Sequence, residues 1–168
     1  MGGSGKTPVV IYLAQLLNSL GIKSAVISRG YKGKANNSVN IVSDGKNILL
    51  SSENAGDEPR MIAELLPGTV VLTGRKRVEP SRYAVQQYNC DAIILDDGFQ
   101  HIALQRDIDI VLFNGSELYN HFNVFPGGML RESYSALSRA SCVCITGSKL
   151  GSAKNVKNFT SFLTKRFP

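Results

Sequence analysis

The sequence predicts an α/β protein: a mainly parallel sheet flanked by helices, with a small β-hairpin inserted. Three observations carry that prediction. Short apolar runs of strand length alternate with segments of helical period, the pattern of βαβ units. A glycine-rich loop ending in Gly-Lys-Thr opens the first helical segment. A continuous apolar run, Ala92-Ile93-Ile94-Leu95, ends in Asp96-Asp97-Gly98, which places a carboxylate at the carboxyl edge of a buried strand. Together these define a P-loop NTPase-like architecture.

Taken in order, Pro8 stands at the start of the first helix, where a missing N–H costs nothing. Val9, Leu13, Leu16, Leu17 and Leu20 follow at helical spacing, and Gly21 closes the segment. Residues 25–27 read as a short buried strand that runs into a basic loop, 28–34. Residues 39–42 and 48–50 flank Asp44-Gly45, a hairpin signal. Gly56-Asp57-Glu58-Pro59 opens a second helix striped by Met61, Ile62, Leu65 and Leu66. A strand at 69–73 is followed by Gly74-Arg75-Lys76-Arg77 and a helix around 81–88. Residues 108–113 predict another strand, interrupted by Asp107 and Asp109. A loop with Phe125-Pro126-Gly127-Gly128 leads to a helix at 133–140 and a core strand at 142–145. The stretch beyond is polar and basic and carries no motif.

The chain has 168 residues, enough for one domain with a real core and too few for two ordinary ones. Its 43% apolar content argues for a globular protein. A net charge of +6 suits an anionic partner but does not choose among nucleotide, lipid headgroup and nucleic acid. Cys90, Cys142 and Cys144 lie in or beside apolar runs without metal-ligand spacing, and read as buried structural thiols in a reducing compartment. No apolar stretch reaches membrane-spanning length and no signal peptide is visible, which predicts a cytoplasmic chain.

Four constellations carry chemistry. In Gly2-Gly3-Ser4-Gly5-Lys6-Thr7 the glycines let backbone N–H groups curl around phosphate oxygens. Lys6 reaches the terminal phosphates and the Thr7 hydroxyl can ligate Mg²⁺. A full P-loop carries a further glycine at a position before Met1, so these residues are its second half. Asp96 is the metal-side carboxylate, with Asp97, Gln100 and His101 following on a glycine-hinged turn. Asp57 and Glu58 have two readings: first-turn acids that stabilise a helix N-terminus, or a group that orients or deprotonates an attacking hydroxyl. Arg29, Lys32 and Lys34 in one loop, and Arg75, Lys76 and Arg77 in another, follow strands and are either phosphate-facing or a solvated basic surface. Arg131, in a Gly-Gly-x-Leu-Arg-Glu turn, belongs with them. His101 and His121 show no metal-site spacing.

Five ordered motifs, Gly-Gly-Ser-Gly-Lys-Thr-Pro (2–8), Ser-Arg-Gly-Tyr (28–31), Gly-Asp-Glu-Pro (56–59), Asp-Asp-Gly-Phe-Gln-His (96–101) and Pro-Gly-Gly-x-Leu-Arg-Glu (126–132), resemble the tetraacyldisaccharide 4'-kinase family. The resemblance implies ATP- and Mg²⁺-dependent phosphorylation of the 4'-hydroxyl of a tetraacyl disaccharide 1-phosphate in lipid A biosynthesis. It implies that Gly2, Gly3, Ser4, Gly5, Lys6 and Thr7 cradle ATP, and that Asp57 is the catalytic base with Lys6 assisting catalysis. Thr7, Asp96, Glu58 and Gln100 would surround the metal, and Arg29, Asp97 and Arg131 would face the substrate. It also implies that residues 1–168 form a single P-loop kinase domain. The leading strand, a membrane helix and a second lobe bearing a partner histidine would lie outside it.

The same resemblance predicts a lipid disaccharide and a membrane surface as partners, with no nucleic acid. It predicts a location at the cytoplasmic face of the bacterial inner membrane and leaves the oligomeric state open. Two other readings remain at this point: a P-loop NTPase of regulatory or metallochaperone type, and a non-catalytic truncated product.

Overall fold

The structure, a computed structural model, describes residues 5–118, 132–147 and 151–167. Gly2, Gly3, Ser4, His121, Arg131 and the loop at 125–128 lie outside the described residues. The chain divides into two compact units, one of Lys6–Gln105 and one holding the described residues from Arg106 onward together with Gly5.

In the first unit a four-stranded sheet has the order β2-β3-β1-β4, with β1 Ser24–Ser28, β2 Asn40–Asp44, β3 Val70–Thr73 and β4 Ala92–Leu95. β1 pairs parallel with both β3 and β4, and β2 joins the edge antiparallel to β3. The mainly parallel sheet read from the apolar runs is therefore present. Helices α1 (Lys6–Ser19), α3 (Asp57–Leu65) and α4 (Val78–Tyr88) flank it, with a single turn, α2 (Ser52–Ala55), leading into α3.

Alternation along β1 and β3 divides the core between the two faces of the sheet. Val26 and Val71 pack with Val10 and Ala14 of α1 and Ile62 of α3. Ala25, Ile27, Val70 and Leu72 point the other way, toward Ala84 of α4. Every residue of β1 and β3 is buried, as strands covered on both faces must be. Fully burying a side chain such as Ile27 stabilises the fold by roughly 1.5–3 kcal/mol. β4 is only half buried along its length, because it pairs with β1 on one side alone among the described residues.

Two hydrogen bonds fix α1 against the chain around α3. Thr7 Oγ1 donates to Glu58 Oε1 at 2.9 Å, and eleven residues on Asn18 Nδ2 donates to Thr69 Oγ1 at 3.1 Å. Both pairs are separated by 51 residues, so the two segments run side by side in the same direction. This brings both helix N-termini to one end of the sheet.

The predicted hairpin is small. Asp44 Oδ1 accepts from the N–H groups of Lys46 and Asn47 at 2.7 and 2.6 Å, and Ser43 bridges Ile48. Its first arm, β2, extends the main sheet, and its second arm is reduced to that bridge. The helix read at 81–88 begins at Val78, because Pro80 falls in its first turn, where no intrahelical N–H is required.

The second unit pairs β5 (Ile110–Asn114) with β6 (Cys142–Thr146) in parallel. β5 starts two residues later than the sequence suggests. Asp109 is engaged instead by Arg106 at 2.6 and 3.1 Å, and its backbone N–H donates to Ser141 Oγ. The segment at Tyr134–Arg139 is a 3-10 helix and not an α-helix. The stretch read as motif-free contains helix α5, Ala153–Arg166, seated by Phe159 against Phe113 with ring centroids 4.9 Å apart. Its Val156, Phe159 and Leu163 carry helical spacing too sparse to stand out among polar neighbours. The cysteines also differ from expectation: Cys90 is buried, but Cys142 is exposed and Cys144 half buried, since β6 belongs to a two-stranded sheet.

Candidate active site

In a parallel sheet the strand ends carrying backbone carbonyls share one edge, and the loops there build the site. β1, β3 and β4 end together, and β3 and β4 each continue the ladder to β1 by one bond: Gly74 N–H donates to Ser28 O and Asp96 N–H to Ile27 O. Asp96 is thereby held at the edge by its own backbone. Its side chain is 2% exposed, and Oδ1 has no hydrogen-bond partner among the described residues.

The electrostatics follow from that burial. Desolvation raises the Asp96 carboxyl to about 6, with the Glu58 and Asp97 carboxylates adding to the rise. Lys6 and Arg77 oppose it. Three carboxylates and two cations therefore converge on one sheet edge. Asp97, the next residue, adopts a left-handed backbone with φ of 55°, a conformation Asp tolerates better than most residues.

Arg77 is the residue the sequence left undistinguished. Arg75 and Lys76 are exposed, whereas Arg77 is 7% exposed. Its Nη1 donates to Arg75 O at 3.1 Å, and its Nε has no partner among the described residues. Burial and the charge of Arg29 pull its pKa down, while Asp97 and Asp96 pull it up. A buried guanidinium with a free donor beside a buried carboxylate with a free acceptor is costly unless a ligand completes both. Only its place one residue before a helix could have singled it out in the sequence.

On the helix side, Lys6 is the first residue of α1 and Thr7 the second, so both stand where unpaired N–H groups and the macrodipole favour an anion. The Thr7 hydroxyl is held by Glu58, and Glu58 couples electrostatically to Asp96. Gly5, just before them, has φ of 73°, the positive value a tight loop at a helix start needs. Lys6, Thr7, Glu58 and Asp96 are thus brought together.

Other predicted residues make no hydrogen bond to this cluster among the described residues. Asp57 is exposed and, with Ser51, Ser52, Arg60, Met61 and Glu64, lines an open concavity of about 390 Å³. Glu58 faces Thr7, so the two adjacent acids of α3 serve different surfaces. Gln100 is exposed on a turn closed by His101 N–H donating to Gly98 O at 2.9 Å. Arg29 is exposed, though close enough to depress Arg77. Lys34 pairs with Glu53 at 2.6 Å on the surface, which is the solvated reading of that loop. The loop is anchored through glycine: Gly56, with φ of 91°, brings its α-carbon so close to Tyr31 O that a Cβ would sit 2.6 Å from it. Arg131 lies outside the described residues.

Among the described residues no group of three or more His, Cys, Asp or Glu side chains could hold a metal alone. Mg²⁺ does not need one, since it binds through one or two carboxylates plus water and substrate phosphates. Asp96 with its unbonded oxygen, Glu58 and the Thr7 hydroxyl fit that requirement.

A mainly parallel sheet whose carboxyl edge joins a Gly-Lys-Thr helix start to a buried strand-end Asp is the arrangement of the P-loop nucleotide-binding class. Comparison with known proteins narrows the class. The family profile described as tetraacyldisaccharide-1-P 4'-kinase matches residues 1–166, and the chain belongs to that family. It is 54% identical over 147 residues to a tetraacyldisaccharide 4'-kinase of Desulfotalea psychrophila, covering 88% of this chain and 42% of that protein. It is 51% identical to the same-named protein of Syntrophus aciditrophicus, covering 87% and 39% respectively. The crystal structure of Aquifex aeolicus LpxK in complex with ATP superposes with a TM-score of 0.80 at 39% identity, over 89% of this chain and 46% of that one. The chain thus spans about two fifths of the length of the curated relatives it matches. Among the described residues no helix is long and apolar enough to cross a membrane.

Proposed function

We propose that this chain is the nucleotide-binding part of an ATP-dependent kinase that phosphorylates the 4'-hydroxyl of a tetraacyl disaccharide 1-phosphate. The observation that carries the reading is the buried carboxylate of Asp96, with one oxygen unbonded, set among Glu58, Lys6 and Arg77. Neighbouring carboxylates raise one another's proton affinity, and such a cluster suits a site that receives a cation and phosphates together. Family membership and the ATP-bound neighbour support the same reading.

In this reading Gly2, Gly3, Ser4 and Gly5 cradle the phosphates with their backbone N–H groups, and Lys6 neutralises charge on the transferred group. Thr7, Asp96 and Glu58 would hold Mg²⁺, with Gln100 nearby, and the ion would supply neutralisation of phosphate charge when bound. Arg77 adds a second cation from the opposite side. Arg29, Asp97 and Arg131 face the acceptor. Asp57 accepts the proton of the attacking hydroxyl, and the concavity it lines has room for part of a sugar ring beside it. Catalysis of this kind is mostly positioning and charge stabilisation. With a membrane lipid as acceptor and ATP as donor, the reaction belongs in this reading at the cytoplasmic face of the inner membrane.

The test is transfer of labelled γ-phosphate from ATP to the tetraacyl disaccharide 1-phosphate by the full-length protein that carries this sequence. Asp57→Asn is expected to lower the transfer rate by about 10²–10⁴-fold with ATP affinity retained. Transfer at the unaltered rate would remove Asp57 from the chemistry.

A further inference from the structure

Helix α5 carries four cations, Lys154, Lys157, Lys165 and Arg166, and no acidic residue. Its inner side is defined by Phe159, 3% exposed and packed on Phe113 and Tyr134. At 3.6 residues per turn, Lys154, Lys157, Ser161 and Lys165 follow one another at intervals of three and four along the opposite side. All four are exposed. The three lysines therefore form one stripe along the helix, directly away from the aromatic core beneath.

Two further observations separate this stripe from an ordinary solvated face. Two arginines of the same unit are paired, Arg106 with Asp109 at 2.6 Å and Arg139 with Glu132 at 2.7 Å. None of the four cations of α5 has an ion-pair partner among the described residues. Phe162, on the flank between the stripe and the core, is 40% exposed although one edge of its ring packs on Tyr134 at 5.3 Å between centroids. Unpaired lysines flanked by a half-exposed aromatic ring are the equipment of a helix that lies on an anionic lipid surface: cations meet headgroups and the ring enters the boundary.

We infer that the outer face of α5, through Lys154, Lys157 and Lys165 with Phe162 beside them, docks on anionic phospholipid headgroups. The choice of lipid over other polyanions rests on the reading above that the acceptor is a membrane lipid, since a peripheral enzyme must reach its substrate at that surface. Charge complementarity carries the contact. It is the kind of interaction that salt screens, with each facing lysine contributing roughly fivefold in partition.

The experiment is sedimentation of the 168-residue chain with phosphatidylcholine vesicles, with and without phosphatidylglycerol, in the absence of nucleotide and acceptor. Binding is expected only to the anionic vesicles and is expected to be released by high salt. The triple variant K154Q/K157Q/K165Q should bind about 100-fold more weakly, and K154R/K157R/K165R should bind as the parent does. A control that removes the same charge elsewhere, K34Q/K46Q/R82Q, should stay within a few-fold of the parent. Equal loss in that control, or unchanged binding of the glutamine variant, overturns the inference. So does a glutamine variant that releases only an RNA oligonucleotide. Failure of the arginine variant to restore binding also overturns it, because the loss would then report on folding and not on charge. None of these outcomes touches the phosphoryl-transfer reading, which is measured with nucleotide and acceptor present.

Discussion

Thr7 Oγ1 donates to Glu58 Oε1 at 2.9 Å, and through that bond the start of α1 and the start of α3 meet at one end of the sheet. The bond is exposed, so it adds little to stability, and its consequence lies in positioning. It holds the hydroxyl that a phosphate-bound cation would use, and it sets the Glu58 carboxylate beside Asp96. Thr7→Val keeps the branched shape and removes the hydroxyl. Its stability should stay within about 1 kcal/mol of the parent. Its affinity for ATP in Mg²⁺ should fall about 10–100-fold, as when a metal-site hydrogen-bond partner is lost. Calorimetric titration with and without EDTA checks this, and equal losses in both buffers would place Thr7 on the phosphate rather than on the metal.

Asp96 gives a pH signature. Its folded pKa, about 6, lies above the ordinary carboxyl value of 3.8, so the native state holds that proton more tightly. Its contribution to stability is therefore fully present below about 3.8 and is lost as pH rises through about 6. Two units correspond to about 3 kcal/mol at most. Asp96→Asn should accordingly be more stable than the parent near neutral pH, with the difference vanishing on acidification. Denaturant melts of both proteins across pH 4–8 read it. A constant difference across that range would show that Asp96 is not perturbed.

Arg77 lowers the proton affinity of Asp96 while its own Nε has no partner among the described residues. Arg77→Met retains the bulk and removes the cation. The Asp96 carboxyl should then titrate above its present value, and ATP affinity should weaken about 10–100-fold through loss of a charge-assisted bond. Carboxyl-carbon NMR titration reports the first effect. An unmoved Asp96 titration would mean that the guanidinium does not act on it.

Gly56 tests the backbone joint between the basic loop and the candidate base. With φ of 91° and Tyr31 O only 2.6 Å from the place of a Cβ, Gly56→Ala must move one segment or the other. A cost of at least about 2 kcal/mol is expected from strain alone. It should appear in denaturant melts together with weakened substrate binding, since Asp57 is the next residue. A melt within experimental error of the parent would show that the two segments separate freely.

Much of this arrangement is legible in local sequence. The buried strands announce themselves through uninterrupted runs such as Val70-Val71-Leu72, because both faces are covered. Lys6, Thr7 and Asp96 are legible because phosphate chemistry demands particular residue types at strand and helix ends. Glu58 could be placed near the metal only through the family resemblance, since its contact with Thr7 spans 51 residues. Arg77 differs from Arg75 and Lys76 only in burial, which depends on how β3 hands over to α4. Helix α5 is hidden for a different reason: Phe159 and Phe162 seat it on Phe113 and Tyr134, which no short sequence window contains together. The cysteines misled because β6 has a hydrogen-bonded neighbour on one side alone among the described residues, so an apolar run did not guarantee burial.

Asp96, Glu58 and Thr7 are proposed to complete a Mg²⁺–nucleotide site at the start of α1. Titration of ATP into the 168-residue chain and into its Asp96→Asn variant, each with Mg²⁺ and with EDTA, tests it most directly. Mg²⁺ should strengthen ATP binding to the parent, and the variant should lose this gain while binding metal-free ATP as well as the parent. ATP binding that is indifferent to Mg²⁺ in the parent, or equally strengthened by it in the variant, would show that these residues do not hold the metal.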